Sequence, residues 1–479
     1  MPATVRLSSS DPACFESQER PLIAAIAVRR IPVLIFLLLI LTNFSLPQNL
    51  TIPAPEKPPP KVTYLLVGRL FDATGDNVRE NMVIMIEGDR IKSVASAADV
   101  KVPPGANVID LSPTTVLPGL IDCHTHLGSR ADRYYEIYDF KSTPFDHAFS
   151  GVVNARKTLE AGFTSVRDVG SDPFLAVDLR NSINEGYLVG PRIVASGPGI
   201  SITGGHGDLN NYSPQTRVTM FPGERDFGIA DSADQIRHVI RAQEKYGVDV
   251  IKILATGGVL SKGDSPGAPQ FTLEELKAAA ETAHMGGRKI AAHAHGTEGI
   301  KNAILAGIDS IEHASLIDDE GIRLAKQHGT YLVMDIYNDD YLLNEAPKYG
   351  LPTENLDKER MLGRLQRENF RKAFQAGVKM AFGTDAGVYP HGDNAKQFSY
   401  MVKFGMTPAQ AIRAATSSAA DLIGRSKDVG TIEAGKFADI IAVNADPLAD
   451  VRALEHVDFV MKGGVVYKDS RSAPHAGAN

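Results

Sequence analysis

From residue 62 onward, apolar and polar positions fall into short, regular stretches. Tyr64-Leu-Leu-Val, Met82-Val-Ile-Met-Ile and Arg90-Ile-Lys-Ser-Val read as strands, with the turn formers Asp72 to Asp76 after the first of them. The same pattern returns over 429–468, in Asp439-Ile-Ile-Ala-Val and in Asp458-Phe-Val-Met-Lys before a Gly463-Gly464 turn. Between these β-rich ends the period alternates. Apolar runs at Val116–Cys123, Thr164–Asp168, Arg192–Ser196, Val250–Leu254, Lys289–Ala292, Ser310–Glu312, Tyr331–Asp335 and Lys379–Gly383 read as strands. Amphipathic stretches such as Ser232–Tyr246, Thr272–Met285 and Asn355–Ala376 lie between them and read as helices. Eight strand–helix steps predict an α/β fold, a (β/α)8 TIM barrel, with a small discontinuous β-sandwich built from both ends of the chain. The expected boundaries are 61–115 and 429–470 for the sandwich, 116–428 for the barrel and 471–479 for a tail.

Residues 1–60 follow a different pattern and are expected to be a leader and linker. Ile31 to Leu41 is apolar apart from Pro32 and follows Arg29 and Arg30. A membrane span needs about 20 apolar residues, so this run is too short for a stable one. Its size and flanks are those of a secretory segment, and export to the periplasm or the medium is expected. Asp11, Glu16 and Glu19 are foreign to the positive region of such a leader, which fits a true start near Val28. The proline-rich stretch from Pro47 to Pro60 reads as an extended linker.

Composition narrows the classes. Hydrophobic residues make up 43% and charged residues 22%, the balance of a globular enzyme with a large core. A net charge of −7 supplies no basic stripe for nucleic acid. Cys14 and Cys123 are the only cysteines, which excludes a disulfide framework and a four-cysteine zinc site. Any metal must therefore be held mainly by His, Asp or Glu.

In a (β/α)8 barrel the chemistry sits at the carboxyl ends of the strands. There the sequence places His124 and His126, His293 and His295, His313 after Glu312, and Asp385 after Thr384. Residues two apart on a strand project to one side, so each His-x-His pair can face one ion. Lys252 interrupts an otherwise apolar strand. His238, His284 and His328 fall in helical stretches and are read as surface residues. His206 follows Gly204-Gly205 in the long loop after the third strand, and Tyr212 and His391 have similar loop positions. Gly257 and Gly258 let the loop after the fourth strand turn near the mouth.

The order His-x-His, Lys, His, His, Asp resembles the amidohydrolase superfamily in its binuclear form. Val116-Leu-Pro-Gly-Leu-Ile-Asp-Cys-His-Thr-His and Gly430-Thr-Ile-Glu-Ala-Gly-Lys-Phe-Ala-Asp-Ile resemble that family's first-strand motif and its return into the small β domain. Val250-Ile-Lys-Ile-Leu-Ala-Thr-Gly-Gly and Ile202-Thr-Gly-Gly-His-Gly-Asp resemble the prolidase-like branch and the ochratoxin-type amide hydrolases.

The resemblance implies two divalent ions, zinc by ligand type, bridged by an N-carboxylated Lys252. His124, His126 and Asp385 would hold one ion, and His293 and His313 the other. Asp385 would shuttle the proton, while His295 and His206 would serve catalysis and, with Tyr212 and His391, contact substrate. An exchange of roles between His293 and His295 stays open. The implied reaction is hydrolysis of a non-cyclic, peptide-type C–N bond in a small or dipeptide-like substrate: Xaa-Pro, Xaa-Arg/Lys or an N-acyl amino acid. Self-association is left open.

A cyclic-amide hydrolase of the imidazolonepropionase type is the alternative, and a mono-metal deaminase a third reading. Both usually carry a Glu where this chain has Gly296. A metal-free scaffold on the same fold is disfavoured, because every expected ligand is present. Arg167 is one candidate for the substrate carboxylate, and a structural ion pair is its other reading.

The leader yields the first prediction. The mature protein is expected to begin between Thr42 and Lys61 and to be found outside the cytoplasm. N-terminal sequencing of protein from its native host checks this, and a cytoplasmic product that keeps Ile31–Leu41 contradicts it.

Overall fold

The computed structural model describes residues 61–471 apart from 172–173, 209, 211–212, 214 and 216–227. The expected leader and linker, residues 472–479 of the tail, and Tyr212 lie outside the described residues.

Four strands open the fold: β1 (Val62–Leu70), β2 (Arg79–Glu87), β3 (Arg90–Ser96) and β4 (Asn107–Pro118). Seven follow in alternation with helices: β5 (Leu120–Thr125), β6 (Phe163–Asp168), β7 (Arg192–Ala195), β8 (Val250–Leu254), β9 (Lys289–Ala294), β10 (Ser310–His313) and β11 (Tyr331–Val333). Three close the chain: β12 (Ile440–Val443), β13 (Phe459–Lys462) and β14 (Val465–Asp469).

The two ends of the chain meet in one seven-stranded sheet of order β14-β13-β12-β4-β1-β2-β3. β12 joins them by pairing antiparallel with β4, Ile440 opposite Pro118 and Ala442 opposite Val116. Alternate residues of these strands, among them Leu65, Val67, Ile84, Ile86, Ile440, Phe459 and Met461, form one buried cluster. Gly463 (φ 57°) and Gly464 (φ 73°) make the β13–β14 turn, where two consecutive positive φ angles call for glycine.

The middle of the chain forms two parallel sheets, β5-β6-β7 and β11-β10-β9-β8. Their strands are buried almost throughout, as strands covered on both faces must be. Backbone hydrogen bonds join the sheets on one side, from Ile200 N to Lys252 O and from Leu254 N to Ile200 O, both 2.9 Å. On the other side the segment 379–383 lies between β11 and β5. Leu332 N donates to Lys379 O and Cys123 N donates to Phe382 O, each at 2.9 Å. Helices on the outer surface start where expected. Ser232 caps Ala233–Lys245, and Thr272 with Glu275 forms a capping box on Leu273–Met285.

Two expected strands differ. Val116–Cys123 is not one strand: Val116–Pro118 completes β4 in the outer sheet, and a separate strand begins at Leu120. Pro118 offers no N–H to continue a ladder, and a Cβ on Gly119 would lie 2.1 Å from the Thr164 hydroxyl, so the chain changes sheets there. Lys379–Gly383 forms no ladder. Its backbone bonds are divided among Leu332, Cys123 and Ala414, and a Cβ on Gly383 would lie 2.2 Å from Val333.

Arg192 on β7 ties the parallel sheet to the outer one. Its guanidinium reaches both oxygens of Asp439 at 3.0 and 3.2 Å and stacks 3.8 Å from the Phe437 ring centre. Asp439→Ala is expected to cost about 2 kcal/mol, because it leaves a half-buried guanidinium and the Gly463 N–H without their acceptor. A lower urea midpoint reads this, while Glu368→Ala, at the exposed pair with Arg364, leaves the midpoint in place.

Candidate metal centre

The strand ends bring the six expected ligands into one pocket. His124 is the fifth residue of β5 and is 1% exposed; His126, two residues on, projects to the same side. His293 on β9, His295 just beyond it and His313 at the end of β10 offer ring nitrogens that lie within 4.8 Å of one another. His124, His313 and Asp385 form a second such group. The rings of His293, His295 and His313 are 4.6 to 4.7 Å apart by centroid. His313 (φ 67°), Ala314 (φ 51°) and Asp385 (φ 60°) all adopt left-handed backbone without being glycine. Each such residue costs on the order of 1 kcal/mol, and the strain aims two of the ligands inward.

Hydrogen bonds fix which nitrogen each imidazole turns to the centre. Arg167 lies 2.8 Å from Glu312, and His124 Nδ1 lies 3.0 Å from the other oxygen of the same carboxylate. Burial pushes Glu312 up, but the charge of Arg167 and the bond from His124 outweigh it and hold the group below the ordinary carboxylate range. An ionised carboxylate only accepts, so His124 carries its proton on Nδ1 and Nε2 presents a lone pair. His126 Nδ1 donates to Gly170 O at 2.7 Å, and His313 Nδ1 to Asp335 at 2.8 Å, with the same result. His293 is reversed: Nε2 faces Gly257 O at 3.3 Å, which leaves Nδ1 bare.

The bare atoms then confront one another. Asp385 Oδ1 lies 3.1 Å from His126 Nε2 and 3.4 Å from His124 Nε2. Buried His124 Nε2 has no hydrogen-bond partner among the described residues. Acceptors held this close repel unless a proton or a cation lies among them. Burial and Lys252 oppose a charge on His124, yet Asp385 and Glu312 keep its pKa above the ordinary value, so the pocket favours positive charge there. Burial likewise acts to raise Asp385, and the two histidines override it, holding the carboxyl well below its usual range. Burial drives His293 and His295 far below 6.5, which keeps both neutral as ligation requires. The donor set, nitrogen and oxygen in a buried pocket, fits divalent metal.

Lys252 is 2% exposed, and none of the hydrogen bonds among the described residues reaches its ammonium. Burial lowers its pKa to about 8, against the pull of Glu312 and Asp385.

The substrate candidates separate. His206 stacks on His293 at 4.2 Å between centroids and is half-buried at the mouth. A Cβ on Gly258 would meet the His206 ring at 2.2 Å, so that glycine is required by the contact. His391, expected at the mouth, is instead buried behind it. Its Nδ1 faces Thr158 at 3.1 Å and its Nε2 faces His126 O at 3.2 Å, so both ring nitrogens are spent on the scaffold. Tyr212 lies outside the described residues. His238, His284 and His328 are on the surface as expected, His284 paired with Asp309 at 2.8 Å.

Arg167 is 1% exposed, and Glu312, Cys123 O and Ser310 take up its guanidinium, so it belongs to the scaffold and not to a substrate carboxylate. Sequence reasoning missed the orienting roles of Glu312, Asp335 and Asn338. Asn338 donates to Asp335 at 2.6 Å and to Asp385 Oδ2 at 3.2 Å. For Glu312 and Asp335 the signal was a carboxylate at the end of an apolar strand run, in Ser310-Ile-Glu312 and in Met334-Asp335.

Comparison with known proteins gives the family. Residues 115–467 match the model of the amidohydrolase family. An ochratoxinase of Aspergillus niger is 34% identical over 437 residues, covering 86% of this chain and 88% of its own. The structure of a Xaa-Pro dipeptidase with methionine bound in its active site superposes with a TM-score of 0.80 at 39% identity, covering 85% of this chain and all of that one. A prolidase complexed with N-methylphosphonate-L-proline superposes with a TM-score of 0.78 at 29% identity over 85% of this chain and all of its own. The chain belongs to the amidohydrolase family.

Proposed function

We propose that this hydrolase uses two divalent metal ions to cleave non-cyclic amide bonds, as a dipeptidase or carboxypeptidase acting on Xaa-Pro, Xaa-Arg/Lys or N-acyl amino acids. The carrying observation is the cluster of bare nitrogens around Asp385, in a chain similar to a Xaa-Pro dipeptidase and an ochratoxinase. His124, His126 and Asp385 would hold one ion and His293 and His313 the other, zinc suiting these donors best. Bound there, the ions would supply a water of lowered pKa and polarisation of the scissile carbonyl.

Lys252, once carboxylated, would complete the ligand set. With a pKa of about 8, the ammonium gives up one proton in part of the molecules near neutrality, and the neutral amine can then add carbon dioxide and release a second proton, leaving a carbamate anion. Asp385 accepts the proton of the attacking water and passes it to the leaving amine, while Asn338 steadies its Oδ2. Ser315, 2.8 Å from His295 Nδ1, can donate to that atom and so set Nε2–H towards the developing oxyanion. His206 and Tyr212 are assigned to the substrate side, and His391 to holding the His126 backbone. Segment 379–383 is taken as the eighth strand that closes the barrel, with 61–115 and 429–470 as the small sandwich. Export through the leader belongs to the same reading.

Gly296 weighs against a cyclic-amide hydrolase. A Cβ there would lie 2.2 Å from Gly267 O, so the loop leaves no room for the acid those enzymes usually carry. A panel of Xaa-Pro, Xaa-Arg/Lys, N-acyl amino acid and imidazolone substrates tests the reading. Turnover confined to the imidazolone overturns it.

The two histidines of β9 and its loop give a finer prediction. His293→Asn is expected to lose metal and leave little activity. His295→Asn keeps the metal content while kcat/KM falls about 100- to 1000-fold, the usual cost of one oxyanion donor. Metal analysis and kinetics on both variants decide this, and the opposite pattern exchanges the two roles.

A further inference from the structure

The helix Thr353–Gln375 buries a face that is polar where packing alone would make it apolar. Asn355, Lys358, Gln366 and Asn369 are all buried on it. Each side chain holds a loop that carries a residue of the site. Gln366 donates to His313 O and Asp335, and Asn369 donates to Ser315 O, beside the hydroxyl that meets His295. Asn355 donates to Val259 O and Ser261 O. Lys358 lies 2.8 Å from Ser261 O, 2.9 Å from Asp264 and 3.3 Å from Gly258 O, with Glu354 at 3.5 Å on its outer side.

The Lys358 contact continues inward to His206. Asp264 accepts from Lys358 and, at 2.6 Å, from the Ser261 hydroxyl; it also receives the Gly258 N–H and the Gln270 amide. The Ser261 hydroxyl has two acceptors in reach, Asp264 at 2.6 Å and Gly258 O at 3.3 Å; with its only proton given to one of them, its oxygen must accept from His206 Nδ1 at 2.8 Å. Gln270 Oε1 also takes the His206 backbone N–H at 3.0 Å, which fixes the loop. Nε2 is left without a hydrogen-bond partner among the described residues, on a half-buried ring packed against His293.

We propose that Lys358 is a positioning residue which, through Asp264 and Ser261, locks His206 in its Nδ1–H form, so that Nε2 at the mouth accepts a hydrogen bond from a substrate N–H. This rests on the amide-hydrolase reading above and sharpens it. In a dipeptide the fitting donor is the free amine at the amino end. A carboxylate has nothing to donate, so the substrate carboxylate is not recognised by His206. An N-acyl amino acid lacks the amine and gains nothing from the contact.

Two readouts on the full chain test this. In ¹⁵N-histidine NMR, the His206 signal, identified by its loss in His206→Gln, is expected to show Nδ1–H in the wild type. Ser261→Ala and Lys358→Met should release it into a mixture of tautomers, and Lys358→Arg should restore the single form. In kinetics, Lys358→Met should raise KM about tenfold for the preferred free-amine dipeptide with kcat within twofold, and leave KM unchanged for its desamino counterpart, the N-acyl amino acid of the same shape with hydrogen in place of the amine. Ser261→Ala carries both tests if Lys358→Met does not fold. A wild-type Nε2–H tautomer overturns the proposal, as does an equal KM change for both substrates. If the wild type hydrolyses neither substrate, the functional reading has failed, and the tautomer measurement still judges the lock.

Discussion

The structure depends on a confrontation of lone pairs. Carboxylate and carbonyl partners outside the pocket take the Nδ1 protons of His124, His126 and His313. Their remaining nitrogens turn inward, and two of them face an ionised Asp385 at 3.1 and 3.4 Å. Such an arrangement is costly in a buried site unless positive charge lies at its centre. The ion pair of Arg167 with Glu312 therefore has a function beyond stability: by keeping Glu312 ionised it fixes the proton of His124, and with it the direction of the bare nitrogen. The left-handed backbone at His313 and Asp385 belongs to the same constraint, since its cost persists only where the surrounding contacts hold it.

A layered arrangement follows from that centre. Glu312 and Asp335 orient nitrogens, and the helix Thr353–Gln375 fixes the loops that carry them. Two carboxylates of similar chemistry end in different states because of their neighbours. Asp385 faces imidazoles and is held low, whereas Glu359, buried beside Asp339 and Asp335, is pushed up to about 8, first by desolvation and then by those like charges. The scaffold thus keeps negative charge where a cation can meet it and neutralises it at Glu359.

Much of this was legible in the sequence, for physical reasons. The strand period of two places His124 with His126 and His293 with His295 on common sides, and the barrel rule places them at one mouth. Lys252 stood out because an apolar strand rarely carries an ammonium without cause. The break at Gly119 was not legible, because Pro118 and Gly119 sit inside a continuous apolar run and only packing against Thr164 reveals why the chain changes sheets there. Segment 379–383 looked like a strand because apolar content does not show which neighbours its backbone will bond. His391 misled as a loop histidine, since its partners Thr158 and the His126 carbonyl are distant in sequence. The polar face of Thr353–Gln375 was hidden in an ordinary amphipathic pattern, because a buried lysine and an exposed one read alike.

The central claim is that converging lone pairs hold two ions. Elemental analysis of the purified full chain by mass spectrometry, with activity followed as metal is stripped by chelator and restored, tests it most directly. The account predicts about two divalent ions per chain, with activity lost and regained in step with them. Full activity with a single ion, or undiminished activity in the stripped protein, would contradict it.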